Sequence, residues 1–199
     1  MNAIIYLKQP GSDELPIPVT VRIEWLPNGK IRPLMYWTPD NSCYVVKHIY
    51  ESVRVSFLKE NGVGIRYKVK AELEEMPDNT SNARHEIYLY FADNRFCEQG
   101  FIDERYSHPS KEYVPITMDV FSGGDYELIS FRLGDNCYVV EKTLKIEPRA
   151  LYLDGVMGVW HKVIARLVGG NDDGETRGVA ISWEVDRWFV YSSFGDGAE

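Results

Sequence analysis

The sequence lacks the features that identify most metal-binding and membrane proteins. Its 199 residues include three cysteines, and no Cys-x-x-Cys, His-x-x-x-His or EF-hand spacing occurs, so we predict no metal and no cofactor. No apolar run approaches the length of a membrane-spanning helix. The first seven residues are too short for a signal peptide. The lack of a signal peptide and the odd number of cysteines predict free thiols in the reducing cytoplasm. The lack of a long apolar run predicts no membrane association.

The sequence also has no cluster of basic residues. The formal net charge is −8. Residues 1–107 contain 13 basic and 15 acidic side chains, and residues 108–199 contain 9 and 15. Because binding of nucleic acid depends on Lys and Arg groups that neutralise several phosphates, the acidic balance argues against nucleic acid as a partner.

A recurring stretch is the most informative feature that is present. The run CYVV occurs at 43–46 and again at 137–140. A shift of 94 aligns residues 43–73 with 137–167 without gaps and gives nine identities in 31 positions, where chance would give about two. Residues 18–21 match 115–118 at a shift of 97, and 87–96 match 179–188 at a shift of 92. The sequence therefore predicts a tandem duplication, with loops of different length.

The residue pattern within each copy is typical of strands. Apolar residues alternate with polar ones at 19–25 and 63–71, and Val, Ile and aromatic residues are frequent. Asn28-Gly29 predicts a two-residue hairpin turn, and Gly134-Asp135-Asn136 predicts another turn. Residues 47–59 are ambiguous, because Ile49, Val53 and Phe57 are four apart as in a helix, but their β-branched content favours a strand.

The predicted fold is all-β, with two tandem repeats that each form a meandering antiparallel sheet curled into a small barrel or sandwich. We predict an N-terminal strand and linker at 1–15, the first repeat at 16–98, a linker at 99–112, the second repeat at 113–191 and a flexible tail at 192–199. Two units of this size are small, so we expect each to help cover the other.

Parts of both copies resemble a set of small uncharacterised bacterial β-rich proteins. The likeness rests on Arg54, on GVGIRY at 62–67, on YLYF at 88–91 and on DRWFV at 186–190. Proteins of this kind are about as long as one repeat. The first copy ends in NRFC at 94–97 and the second has GVWH at 158–161, so each copy lacks one of the two motifs. The resemblance implies a shared β-rich unit and no catalytic residue.

No set of catalytic residues is present in both copies. His48 corresponds to Lys142, and Cys137 has no nearby histidine, so a Cys–His nucleophile is not expected. The acidic, glycine-rich loop 169–175 could hold a weakly bound hard cation, but its equivalent at 74–82 lacks the glycine-rich acidic spacing, so a solvated hairpin loop is predicted. The aromatic residues of the strands are either covered on both faces or presented to a ligand or partner.

Two functions fit these observations. The first is a binding or scaffolding module that contacts a protein partner or a second copy of itself. The second is a small-ligand binder or an enzyme whose site lies between the repeats, where matched residues differ. The candidate ligand-binding residues for that second function are Arg66, Tyr67, Trp160 and His161.

Overall fold

A computed structural model of the chain describes residues 4–8, 17–57, 62–74, 84–92, 113–123, 125–150, 157–169, 174–184 and 187–194. These residues form an all-β structure in which every described strand pair is antiparallel. The strands are β1 (Ile4–Lys8), β2 (Ile17–Pro18), β3 (Thr20–Trp25), β4 (Ile31–Trp37), β5 (Cys43–Phe57), β6 (Gly62–Leu73), β7 (Arg84–Ala92), β8 (Ile116–Val120), β9 (Tyr126–Leu133), β10 (Asn136–Ala150), β11 (Met157–Val168), β12 (Thr176–Glu184) and β13 (Arg187–Phe194).

The contacts divide the chain into two compact units. Unit 1 contains Met1–Ile23, Ile31–Glu98 and Asp119–Glu127, and unit 2 contains Glu24–Lys30, Gln99–Met118 and Leu128–Glu199. Each unit thus includes a short segment from the other half of the sequence. The first segment contains the end of β3 and the turn after it, and the second contains the end of β8 and the start of β9.

The strand order within each half of the chain is linear. The first half has the order β3-β4-β5-β6-β7-β1-β2, and the second has the order β8-β9-β10-β11-β12-β13. Both orders are open among the described strand pairs, and β2 ends one residue before β3 begins. The meander of neighbouring antiparallel strands agrees with the prediction. The curling of each repeat into a small barrel or sandwich stays a prediction.

The pairing of β5 with β6 and that of β10 with β11 follow one register. Tyr44 lies opposite Leu73, and Tyr138 lies opposite Leu167, which are the same positions at a shift of 94. The β5–β6 ladder has irregularities between 46 and 48 and between 49 and 51. The β10–β11 ladder has them between 140 and 142 and between 143 and 145, again at a shift of 94. Both pairs of strands therefore have two β-bulges at matching positions.

The core of each unit lies on one face of its longest ladder. In β6 the buried residues alternate, as expected for a strand with one face in the core. Three of the four matching positions of β11 are buried as well, and the fourth, Val159, is half-buried. The residue types differ at Tyr67 and His161. The buried residues are Ile65, Tyr67, Val69 and Ala71 in β6 and His161, Val163 and Ala165 in β11.

The turn after β3 differs from the predicted two-residue hairpin. The amide N–H of Leu26 donates to the carbonyl of Lys30 at 2.8 Å, and that of Gly29 donates to Leu26 at 2.9 Å, so three residues lie between the closing pair. Gly29 has a φ of 78°. Pro27 fixes the φ that suits the first central position of a type I turn, and only the glycine needs the left-handed region. The predicted turn at Gly134 is present, and that residue has a φ of 59°.

Some of the other predictions agree with the observed strands and some boundaries differ. The ambiguous segment 47–57 is strand and not helix, and β5 and β10 are each continuous over 15 residues. β13 continues to Phe194 and so includes three residues of the predicted tail. Cys97 and the loop residues 75–83 and 170–173 lie outside the described residues.

Candidate functional site

The first two predicted ligand-binding residues, Arg66 and Tyr67, are neighbours on β6 and therefore point to opposite faces of the sheet. Tyr67 faces the core of unit 1, is 3% exposed, and donates its hydroxyl hydrogen to the carbonyl of Ile31 at 2.9 Å. Arg66 is on the outer face. Its guanidinium donates to Glu51 at 2.8 Å and lies 4.7 Å from the ring centre of Tyr88. In unit 1, only Arg66 of these two can be reached from solvent.

The other two predicted residues, Trp160 and His161, are arranged in the same way on β11. His161 faces the core of unit 2 and is 1% exposed. Burial lowers the pKa of its imidazole from 6.5 to about 4, so the ring is neutral at pH 7. Trp160 is half-buried on the outer face, where the ammonium of Lys162 lies 5.6 Å from its ring centre. The two buried side chains serve packing, and Arg66 and Trp160 remain as the surface members of the predicted set.

The outer face of unit 1 contains a cluster of cations on aromatic rings, which we call outer row 1 (Tyr50, Arg66, Lys68 and Tyr88). The Lys68 ammonium lies 5.5 Å from the ring centre of Tyr50 and 3.4 Å from the Glu86 carboxylate. Tyr50 is 47% exposed and makes an edge contact with His48 at 4.7 Å between ring centres. The bulge at Tyr50 turns this side chain out of the regular alternation of β5.

Unit 2 has a comparable cluster, which we call outer row 2 (Lys145, Glu147, Trp160 and Lys162), and its Trp160 and Lys162 match Arg66 and Lys68 of outer row 1. Lys145 lies opposite Lys162, and Glu147 lies opposite Trp160, in the register of β10 with β11. Lys145 forms an ion pair with Glu147. Lys162 matches Lys68 at the shift of 94, and each lysine is next to an aromatic ring. The sequence analysis identified Arg66 and Trp160 but not Lys68 and Lys162. Both matched positions have lysine, and this match could have pointed to them.

A shallow depression of about 460 Å³ lies in unit 2 near the turn between β9 and β10. It is lined by Tyr113, Pro115, Arg132, Gly134 and Asp135. The Arg132 guanidinium donates to the Glu24 carboxylate at 2.8 Å, and that carboxylate is largely buried, with 9% of the side chain exposed. This ion pair satisfies part of the arginine's hydrogen-bonding capacity, and the open depression leaves 52% of its side chain exposed.

The cysteine environment does not favour nucleophilic chemistry. Cys43 and Cys137 are free thiols. Burial, together with a hydrogen bond to Glu74, raises the pKa of the Cys43 thiol to about 12, so this group is protonated at neutral pH. A catalytic cysteine needs the opposite shift. Among the residues that the structure describes, no group of three or more His, Cys, Asp or Glu side chains is placed to hold a metal ion.

Comparison of the chain with protein-family models, with curated proteins and with solved structures gave no significant match. Within the described ranges, no helix is long and apolar enough to cross a membrane.

Proposed function

We propose that the chain is a tandem duplication of a small bacterial β-rich unit and that it functions as a binding module for a protein partner, without a catalytic set. The observation that carries the duplication is the common register. Eleven of the twelve residue pairs between β10 and β11 match those between β5 and β6 at one shift of 94, and both bulges match as well. Bulges tend to persist within related proteins because they redirect side chains, so two matched bulges support a common origin.

The outer rows are the surfaces that we assign to the partner. Each has a lysine at the matched position 68 or 162 and an aromatic ring within cation–π distance of it. Such contacts hold long side chains in place, and each contributes about 0.5–1 kcal/mol at exposed sites. Aromatic and Arg side chains are enriched in protein interfaces, because they bury much area with few rotatable bonds. Two similar rows in one chain suit a partner with two equivalent surfaces.

The proposal is tested with a partner that has been purified and shown to bind the full chain directly. Lys68→Glu and Lys162→Glu reverse one charge in each row, and we expect each to weaken binding about tenfold or more, which is about 1.4 kcal/mol. Lys30→Glu is the matched control, because Lys30 is an exposed lysine of the β3–β4 turn outside both rows. Equal binding by all three variants, measured by calorimetry, would contradict the assignment.

The second candidate function is a small-ligand binder, and the depression beside Arg132 is the observation that favours it. Its Tyr, Arg and Asp side chains would suit a small polar ligand. A thermal-shift screen of sugars, nucleotides, organic acids and metal ions separates the two functions. A ligand at 100 times its dissociation constant stabilises the native state by about 2.7 kcal/mol. A hit that Arg132→Gln or Asp135→Asn abolishes would favour this candidate over the protein-binding module.

A further inference from the structure

The second half of β10 is a strand edge with no partner strand among the described residues. β9 pairs with β10 from Asn136 to Val139, and beyond Val139 the described pairs of β10 are those with β11, on its other side. Residues 140–150 therefore present the main-chain N–H and C=O groups of one edge. This edge is long enough to pair with a whole strand of usual length.

The same stretch is uncovered on both faces of the strand. Six consecutive residues, 141–146, are exposed. Ile146 is 56% exposed although it lies opposite His161, which is 1% exposed, so the core that covers β11 does not reach β10 here. Leu144, at the second bulge, is 40% exposed. Exposed apolar side chains that lie close together are typical of a surface that another chain covers.

The equivalent edge of unit 1 is less open. β4 pairs with β5 through Val45, so the edge of β5 beyond that residue also has no described partner strand. From 48 to 55, however, half-buried residues alternate with exposed ones, so one face of β5 is covered. Ser52 has the position that Ile146 has at the shift of 94. The β5 edge therefore provides a matched control for the β10 edge.

The charge of the β10–β11 ladder favours an acidic occupant. The two strands contain five Lys or Arg and two Glu residues, an excess of three positive charges in a chain whose net charge is −8. Glu141 accepts a hydrogen bond from Arg166 at 2.7 Å, and Glu147 forms an ion pair with Lys145, so both acids are already bound. Lysines and bulges at an edge disfavour pairing with a second copy of the same edge. Carboxylates on an incoming strand are instead attracted to this edge.

We propose that residues 141–148 of β10 are a docking site for an extended acidic segment of a protein partner, which pairs with this edge as an additional strand. The inference rests on the proposed protein-binding function and specifies how the partner is held. Main-chain hydrogen bonds provide the affinity, as in other cases of strand addition. Lys142 and Lys145 lie on the same face, because the bulge at Leu144 places them opposite Ile164 and Lys162, which are two residues apart. Acidic side chains at alternate positions of the segment meet these two lysines.

The test uses the full chain and peptides selected from a displayed library of random ten-residue sequences. We expect the enriched peptides to be acidic, and labelled copies should bind in fluorescence anisotropy with an affinity that falls as salt is added. Lys142→Glu and Ile146→Asp should each raise the dissociation constant at least about tenfold. Lys47→Glu and Ser52→Asp are the matched controls, because they introduce the same acidic residues at exposed positions of the β5 edge. Circular dichroism establishes that each variant is folded.

A second measurement tests the main-chain pairing itself. Successive N–H groups of an extended peptide point to opposite edges, so methylation of the odd or of the even nitrogens blocks one edge at a time. We expect one of these two patterns to abolish binding and the other to retain it.

Three outcomes would overturn the docking site: a library that enriches no peptides or basic ones, equal effects of the two methylation patterns, or binding weakened as much by the β5 controls as by the β10 variants. If any of them occurs while a purified partner still depends on Lys68 and Lys162, the proposed function stands and the docking site alone is wrong.

Discussion

Arg22 and Asp119 form a bidentate ion pair. They lie at equivalent positions, directly after the two matched sequence runs. The guanidinium Nε donates to Oδ1 at 2.6 Å, and Nη2 donates to Oδ2 at 2.7 Å. The matched runs 18–21 and 115–118 are related by a shift of 97, which also relates residue 22 to residue 119.

The ion pair should contribute measurably to stability. The side chains of Arg22 and Asp119 are 30% and 15% exposed, and the hydrogen bond to Asp119 raises the pKa of Arg22. We expect Asp119→Asn to lower the free energy of unfolding by about 2 kcal/mol, between the values for surface and buried pairs. Urea denaturation of the full chain measures this change.

The equivalence of the two positions is tested by exchanging the charges. The double variant Arg22→Asp and Asp119→Arg should recover more than half of the stability that either single substitution removes, which a double-mutant cycle would show as coupling. Arg22 also lies 5.1 Å from the ring centre of Trp37, so full recovery is not expected. Additive losses in the double variant would show that the positions are not interchangeable.

The buried His161 should make the protein less stable in acid. Its pKa is about 4 in the folded chain and 6.5 as an ordinary histidine. Between these values the unfolded chain binds a proton that the folded chain does not, so stability falls as the pH decreases from about 6.5 to 4. The loss from this group is at most about 3 kcal/mol and is complete near the lower pKa. Denaturation across this pH range should show the slope.

Two substitutions isolate the contribution of His161. His161→Phe keeps a ring in the core but cannot be protonated, so its stability should depend less on pH between 4 and 6.5. Val163→Ala, at a fully buried position two residues along the same strand, should lower stability by a similar amount at every pH. An unchanged slope in His161→Phe would show that other groups cause the acid sensitivity.

The hydrogen bond from Tyr67 to Ile31 should stabilise unit 1. Tyr67→Phe removes the hydroxyl group that donates to the buried carbonyl of Ile31. We therefore expect the free energy of unfolding, measured by urea denaturation, to fall by about 1–2 kcal/mol. Tyr50→Phe is the control, because Tyr50 is 47% exposed, and it should cost less than about 0.5 kcal/mol. Equal effects of the two substitutions would show that the Ile31 bond contributes nothing specific.

Cys43 should react slowly in the folded protein. Because its pKa is raised to about 12, little thiolate is present at pH 8. We expect alkylation by iodoacetamide, followed by mass spectrometry, to be at least about a hundredfold slower than in the urea-unfolded chain. Glu74 contributes to the raised pKa, so Glu74→Gln should speed the reaction. A Cys43 that reacts equally fast in both states would contradict the raised pKa.

The sequence was sufficient to predict the strands that have one buried face. In β6 the alternation from Ile65 to Ala71 matches the observed burial, because each side chain of a regular strand alternates between core and solvent. The turn at Gly134 was predictable for a related reason, since few residues adopt its positive φ. The all-β class follows from such local patterns.

Features that depend on contacts between distant residues were not predictable. The bulges at Lys47 and Tyr50 break the alternation of β5, which is why Ile49, Val53 and Phe57 resembled a helical face. The pairing of β1 with β7 joins residues that are far apart in the sequence, and neither segment contains a signal for the other. The membership of Glu24–Lys30 in unit 2 likewise has no local signal.

Only part of the candidate site was predictable, because the direction in which each side chain points depends on contacts with distant residues. Comparing the two copies located positions 66, 67, 160 and 161, but it could not say which of them faced the core. The parity of β6 relative to its neighbours decides that Arg66 is outside and Tyr67 inside. The lysines of the outer rows are ordinary surface residues in the sequence and became notable only through their contacts with Tyr50 and Trp160.

The paired bulges also determine which single-residue deletions the chain can absorb. Between Val46 and Glu51, β5 uses two more residues than β6 uses opposite it. Loss of Tyr50 would therefore remove one of the two bulges and leave the flanking residues opposite their present partners. Loss of Val45, in the regular part of the strand, would instead turn the preceding residues over. We therefore expect the fold to tolerate deletion of Tyr50 or Leu144, which lie at bulges, better than deletion of Val45 or Val139.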